Sequence, residues 1–172
     1  MFSDEGATES SPEAAVVDAR EVGSAKAAAM PNILLLSLDT TRADHMQTYG
    51  YPRLTTPNLD RLAAEGTLFT QFYVCSGVCS PSRAAVMTGQ FPARHGIHGH
   101  FADHELNAKR GMPNWLDPGV TTYTKLLQEA GYRVGHYGKW HLGGGEGAPE
   151  PFEYGIDECR VNAGNGPYLG FR

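Results

Sequence analysis

The sequence predicts an α/β fold with a largely parallel sheet, because apolar runs typical of strands alternate with segments that have helical spacing. The composition agrees with a globular domain. Apolar residues make up 41% of the 172 residues and charged residues 19%, which is typical of a chain with a core rather than a disordered one. A chain of this length can bury roughly 70% of its unfolded surface.

Two regions of different composition are predicted, a leader at residues 1–29 and a folded domain at residues 30–172. The leader is rich in Ala, Glu, Ser and Gly and holds six acidic and two basic residues, so we expect it to be acidic and disordered. The net charge of the whole chain is −5, which leaves the rest close to neutral. Such a domain has no basic field, and we therefore expect no nucleic-acid partner.

No membrane span and no export signal are predicted from the sequence. No apolar run approaches the ~20 residues that a membrane helix needs. The leader also lacks a basic start followed by a continuous apolar segment, so a cytoplasmic location is the default expectation.

The apolar run at residues 33–38 predicts a strand buried on both faces, and residues 68–74 and 132–137 predict two more strands. Helices are predicted after Thr56, with Pro57 at the first helical position, and from about Thr122 to Gly131. A third helix is expected between Ser80, as N-cap with Pro81 following it, and Gly89. The segments 90–120 and 143–172 show no clear element.

Four chemically active residues follow predicted strands or precede a predicted helix. Asp39 ends the first strand, Cys79 precedes the helix predicted between Ser80 and Gly89, and Lys139 and His141 follow the third strand. Because ligands of open α/β sheets collect beyond the carboxyl ends of strands, we expect these side chains to converge. Each also has a structural alternative: a buried thiol, a turn-capping carboxylate, a solvated lysine and a loop histidine.

A motif around the cysteine favours chemistry over these alternatives. Cys79-Ser80-Pro81-Ser82-Arg83, which runs on to Gly89, resembles the signature of the sulfatase family, and so does the segment Gly138-Lys139-Trp140-His141-Leu142-Gly143. The resemblance implies an alkaline-phosphatase-like fold and an arylsulfatase-like hydrolase of sulfate monoesters. It covers residues 31–143 and the first part only of a sulfatase, so we expect the chain to be an N-terminal fragment, inactive by itself.

The resemblance also implies the roles of individual residues. Cys79 would be oxidised to formylglycine by the formylglycine-generating enzyme, and one hydroxyl of the aldehyde hydrate would attack the sulfur and expel the alcohol. The second hydroxyl would then collapse the intermediate and release sulfate. Arg83 would hold the charged hydrate, Lys139 would neutralise the sulfate oxygens, and His141 would bind or deprotonate the hydroxyl.

A divalent cation, usually calcium, completes the site in this family. Asp39, Thr40 and the modified Cys79 would supply part of its oxygen shell. Many members carry a second aspartate where this chain has Thr40, a neutral and weaker ligand. Later parts of the family supply further metal ligands, a histidine and a lysine that match nothing in residues 144–172.

The other histidines are expected to have substrate-pocket or structural roles. They are His45, His95, His98, His100, His104 and His136.

Two other functions remain open from the sequence. A phosphonate or phosphate monoester hydrolase of the same superfamily could use the same nucleophile. Alternatively, the chain is a non-catalytic truncated product, which would bind metal poorly and expose sheet edges. The identity of the ester is not predicted.

Overall fold

The computed structural model describes residues 30–162 and 168–171. The predicted leader at residues 1–29 lies outside the described residues. The chain divides into two units, residues 1–38 and 39–172. Among the described residues, no helix is long and apolar enough to cross a membrane.

Residues 30–38, the described part of the first unit, form neither a helix nor a strand. The prediction of a strand buried on both faces at residues 33–38 is therefore wrong for this structure, and Leu34 is 89% exposed. An apolar sequence is not sufficient for a strand, because a strand also needs a neighbour that accepts and donates its backbone hydrogen bonds. No neighbour pairs with this segment among the described residues.

The second unit contains four α-helices: α1 (Pro57–Glu65), α2 (Cys79–Thr88), α3 (His104–Lys109) and α4 (Tyr123–Glu129). Short 3₁₀-helices occur at Ala43–His45, Gln47–Tyr49, Pro92–His95 and Pro151–Tyr154. The predicted helix after Thr56 is confirmed with Pro57 as its first residue. The Thr56 hydroxyl donates to the carboxylate of Asp60, at 3.2 Å, instead of capping the backbone.

Helix α2 begins two residues earlier than predicted, because its N-cap is Val78 and not Ser80. The N-cap is Val78, whose carbonyl accepts the N–H of Ser82, so Cys79 is the first helical residue rather than a residue outside the helix. Pro81 is tolerated in this first turn because the early N–H groups of a helix have no intrahelical acceptor. Gly89 ends the helix at a φ of 65°, as predicted.

Helix α4 begins near the residue that the sequence predicts, whereas α3 was not predicted. Thr122 caps α4 by accepting the N–H of Lys125, which confirms the predicted start near this residue. Asp103 caps α3 in the same way through the N–H of Leu106, at 2.8 Å. The six residues of α3 carry too little apolar periodicity to be recognised within the segment 90–120.

The sheet has three strands, β1 (Gly135–Lys139), β2 (Glu158–Asn162) and β3 (Tyr168–Phe171), in the order β1-β2-β3. Strand β1 pairs with β2 in parallel and β2 with β3 antiparallel. The α/β prediction is confirmed, although β1 lies about three residues later than predicted. Residues 68–74 are not a strand, and β2 and β3 were not predicted within 143–172.

The core lies between α2, the segment 97–116 and the β1–β2 pair, and Tyr154 is at its centre with no exposed surface. The Tyr154 hydroxyl donates to the carbonyl of Leu116. Its own carbonyl accepts from Thr122 Oγ1, at 2.9 Å, and from Thr124 Oγ1. Tyr154 thereby links the start of α4 to the segment that contains Leu116.

We expect Tyr154→Phe to lower the free energy of unfolding by about 1–3 kcal/mol, because the buried Leu116 carbonyl loses its donor. Urea denaturation of the purified protein measures this change. Tyr137→Phe is the matched control: its hydroxyl donates to Glu158 at the surface, and we expect almost no shift in the midpoint. Equal decreases in the free energy of unfolding of the two variants would show that the buried hydrogen bond contributes no more than the exposed one.

Candidate active site

Helix α2 places Cys79 and Arg83 on neighbouring turns. Cys79 is a half-buried free thiol at the first helical position, and Arg83 follows one turn later. Residues four apart lie on the same face of a helix. The unpaired N–H groups of the first turn and the helix dipole give this end a positive potential that favours an anion.

Arg83 connects the helix to two other predicted site residues. Its guanidinium donates to Asp39 Oδ2, at 3.1 Å, and to the carbonyl of Lys139. Lys139 Nζ lies 3.3 Å from the same Asp39 oxygen. The hydrogen bond from Arg83 is the largest cause that holds the pKa of Asp39 below its usual value, against the opposite effect of partial burial. The carboxylate is therefore ionised at neutral pH.

His136, which lies on the same strand as Lys139, contacts the same backbone carbonyl. Its Nε2 lies 3.4 Å from the Lys139 oxygen, and its ring meets Trp140 edge-on, at 5.3 Å between centroids. Burial lowers the pKa of His136, so the ring is neutral and donates through Nε2. The Lys139 carbonyl consequently has two donors, which fix the end of β1.

His141 is joined to the start of helix α2 through a single residue, Phe101. His141 Nε2 donates to the Phe101 carbonyl at 3.2 Å, and the Phe101 N–H donates to Ser80 Oγ at 3.1 Å. Ser80 is fully buried and follows Cys79 directly. His141 and Ser80, the residue after the cysteine, are thus held by the backbone of Phe101, and no hydrogen bond joins the side chains of His141 and Cys79 among the described residues.

The hydrogen bond to Phe101 also defines the tautomer of His141. Because Nε2 donates to a carbonyl, Nδ1 of the neutral ring carries a lone pair. Nδ1 is buried and has no partner among the described residues. Desolvation lowers the pKa of His141, with the Phe101 bond acting in the opposite direction. The neutral ring therefore has a free acceptor at Nδ1. The backbone of His141 lies in the left-handed region, at a φ of 51°.

An open cleft of about 520 Å³ lies beside His141. Its walls are residues 101–104, which lead into α3, and residues 143–146, which follow His141. Gly143 lies where its φ of 131° and the side chain of Trp115 leave no room for a Cβ. The cleft adjoins the candidate site and could hold a ligand larger than an inorganic anion.

Thr40 follows Asp39 in a turn at a φ of 56°, and its hydroxyl makes no hydrogen bond within the described residues. Carboxylate and hydroxyl oxygens suit a hard cation such as calcium. Within residues 30–162 and 168–171, however, no three His, Cys, Asp or Glu side chains converge as a metal site. Calcium takes six to eight oxygens, so Asp39 and Thr40 could supply only part of its shell.

The structure brings Asp39, Arg83 and Lys139 together through ion pairs and hydrogen bonds. Among the described residues, no hydrogen bond or ion pair joins the side chains of Cys79, Thr40 and His141 to this group. Ser80 and Phe101 were not predicted as parts of the site. Ser80 was interpreted as an N-cap, and its inward position follows only once the helix begins at Cys79. A link through the Phe101 backbone leaves no signal in the sequence.

Comparisons with known proteins show the family of the chain. The protein-family model for sulfatases matches residues 31–164. Arylsulfatase A of Bos taurus is 45% identical over 131 residues, which cover 76% of this chain and 25% of that protein. N-acetylgalactosamine-6-sulfatase of Homo sapiens is 42% identical over 155 residues, which cover 86% and 28%. The chain thus spans about a quarter of the length of the curated relatives that it matches.

A solved structure agrees in fold as well as in sequence. The crystal structure of Ps i-CgsB in complex with k-i-k-neocarrahexaose is 32% identical, with a TM-score of 0.59 over 69% of this chain and 25% of that one. The family model matches far more than half of the residues, including both motifs around Cys79 and Lys139. The chain therefore belongs to the sulfatase family and has the alkaline-phosphatase-like α/β fold of its structural neighbours.

Proposed function

We propose that the protein of which this chain is a part hydrolyses sulfate monoesters, in the manner of an arylsulfatase, with formylglycine derived from Cys79 as its nucleophile. The observation that carries the proposal is the position of Cys79: it opens helix α2, one turn before an arginine that is bonded to both Asp39 and the end of β1. Maturation requires the formylglycine-generating enzyme as a partner.

Sulfatases generally use formylglycine and a divalent metal. The hydrated aldehyde supplies two hydroxyls on one carbon, one to take up the sulfuryl group and one whose deprotonation releases it. At the first position of a helix, these hydroxyls would face unpaired backbone N–H groups. The helix end therefore favours the anion that approaches Cys79.

Arg83 and Lys139 are proposed to stabilise the charge of the sulfate group. Together with Asp39 they form a cluster of two cations and one carboxylate, so one positive charge remains uncompensated. A sulfate monoester carries one negative charge and matches this excess. The planar guanidinium is already oriented by Asp39 and the Lys139 carbonyl, which reduces the reorganisation needed when the ester binds.

His141 is proposed to take a proton from a hydroxyl of the hydrate. Nδ1 has the free lone pair that this step requires, and the lowered pKa of His141 keeps the ring neutral at physiological pH. The Phe101 carbonyl holds the opposite nitrogen and would stabilise the ring after it gains the proton. In this proposal His141 is the base, and the backbone carbonyl of Phe101 positions its ring.

Calcium is the proposed metal, with Asp39, Thr40 and the oxidised Cys79 among its ligands. The lowered pKa of Asp39 agrees with a carboxylate that stays charged for a cation. Within the described residues, no three His, Cys, Asp or Glu side chains converge, and further ligands are proposed to come from later parts of the protein.

The substrate class is proposed to be aryl or carbohydrate sulfate esters. Arylsulfatase A and N-acetylgalactosamine-6-sulfatase are named for such esters, and Ps i-CgsB is bound to a neocarrahexaose.

Substitution of the nucleophile gives the first test of this function. We expect Cys79→Ser to lose steady-state turnover of an aryl sulfate by at least about a thousandfold, because a serine lacks the second hydroxyl that releases sulfate. The variant should instead release at most one alcohol molecule per enzyme molecule. Residue 79 should gain the mass of one SO₃. Stopped-flow absorbance and peptide mass spectrometry measure both effects in the complete protein.

Two controls accompany this test. Cys79→Ala should lose turnover without any adduct, and Cys75→Ala, at an exposed free thiol, should retain turnover. Detection of an unmodified thiol at residue 79 in a preparation that turns over aryl sulfate would contradict the proposed nucleophile. Faster turnover of an aryl phosphonate than of the sulfate would instead favour a phosphonate hydrolase.

A pH profile tests the role of His141. If the neutral ring is the base, kcat/KM should fall with decreasing pH as Nδ1 gains a proton. Since desolvation places the pKa of His141 below its ordinary value of 6.5, that fall should lie below pH 6.5. His141→Asn should remove the fall together with most of the activity. His136→Asn is the control, because the pKa of His136 is also lowered. If only this variant loses the decrease of kcat/KM at low pH, the titrating group is His136 and not His141.

Metal removal tests Asp39 as a ligand. We expect chelation of calcium to abolish turnover and its return to restore it, whereas Asp39→Ala should raise the calcium concentration for half-maximal turnover at least about tenfold. Asp44→Ala removes the same charge from an exposed ion pair with Arg42, and it should leave the calcium requirement unchanged. An equal shift in both variants would argue against Asp39 as a ligand.

A further inference from the structure

We propose that the cleft beside His141 binds the alcohol part of the ester, and that Glu146 and Asp103 make it select neutral or cationic alcohols over anionic ones. The inference rests on the proposed sulfatase function, since it concerns the group that leaves when sulfate is transferred. It assigns a specificity to two carboxylates that the proposed mechanism does not use.

Two hydrogen bonds link the two walls of the cleft. His141 Nε2 donates to the Phe101 carbonyl of one wall, and His104 of that wall lies with Nε2 3.4 Å from the carbonyl of Gly144 in the other. Gly145 passes so close that a Cβ on it would lie 3.1 Å from His104 Nε2. The two walls of the cleft are therefore held together at His141 and at His104.

The charges in the cleft are of one sign. Glu146 and Asp103 contribute carboxylates, and neither lysine nor arginine is among the lining residues. Neither carboxylate is in an ion pair within the described part of the chain. Asp103 Oδ1 accepts the N–H of Leu106, which orients the carboxylate without neutralising it. The cations of the site, Arg83 and Lys139, contact Asp39 and do not line the cleft.

The positive and negative charges of the site would contact different parts of a substrate. The sulfate group would meet the cationic cluster, and the rest of the ester would meet carboxylates that accept hydrogen bonds from hydroxyl or ammonium groups. A second sulfate or a carboxylate in the cleft would face uncompensated charge of the same sign, which disfavours binding. The fitting substrates are monosulfated esters whose alcohol carries hydroxyl or amino groups.

The test uses three aryl sulfates that differ in charge: phenyl sulfate, 4-carboxyphenyl sulfate and 4-(aminomethyl)phenyl sulfate. Each ratio of kcat/KM is compared between a variant and the unchanged protein, so intrinsic differences between leaving groups cancel. Glu146→Gln should raise the ratio of carboxyl to unsubstituted ester by about threefold to tenfold, and Asp103→Asn should act in the same direction. Asn retains the N-cap of α3, which preserves the fold.

Added salt should reduce the selectivity of the unchanged protein, because the carboxylates are exposed. Glu129→Gln is the matched control, an exposed carboxylate that does not line the cleft. If phenyl sulfate is hydrolysed but Glu146→Gln and Asp103→Asn change the ratios no more than Glu129→Gln, the cleft proposal is wrong and the sulfatase function stands. If the unchanged protein hydrolyses no sulfate ester, both proposals fail together.

Discussion

The guanidinium of Arg83 is the contact on which the arrangement of the site depends. It joins helix α2 to the Asp39 turn and to the last residue of β1, three segments that are far apart in the sequence. Arginine suits this position because its donors lie in one rigid plane and its charge is permanent. A lysine could reach one of these acceptors but could not hold both in fixed directions.

The same contact creates a competition for Asp39. Arg83 and Lys139 both bind its Oδ2 atom, and a metal ion in the proposed position would need oxygens of the same carboxylate. Binding of a cation would therefore release part of the positive charge of the two side chains toward the sulfate group. In this view Asp39 couples occupancy of the metal site to the strength of the anion site.

Local elements could be predicted from the sequence, and pairings between distant segments could not. Helices α1 and α4 carry their start signals at Thr56 and Thr122, within a few residues of the helix itself. Residues 33–38 have equally strong strand character, yet strand formation depends on a neighbour that composition does not specify. Strand β2 was missed for the complementary reason, because its parallel pairing with β1 is the main cause of its formation.

The same contrast between local and distant features applies to the candidate site. The motifs identified Cys79, Arg83, Lys139 and His141 because those side chains follow fixed spacings. The connection between His141 and helix α2 spans 40 residues on one side and 21 on the other, and it uses backbone atoms of Phe101. Spacing rules describe side chains within one element, so a bridge of this kind becomes visible only in three dimensions.

That bridge determines which substitutions residue 101 can accept. Because Phe101 connects His141 to helix α2 through its amide and carbonyl alone, any residue except proline would keep both hydrogen bonds. The ring, by contrast, is 6% exposed and belongs to the hydrophobic core. Exchange of the ring for a smaller side chain would therefore lower the stability of the core while the connection between His141 and the helix persists.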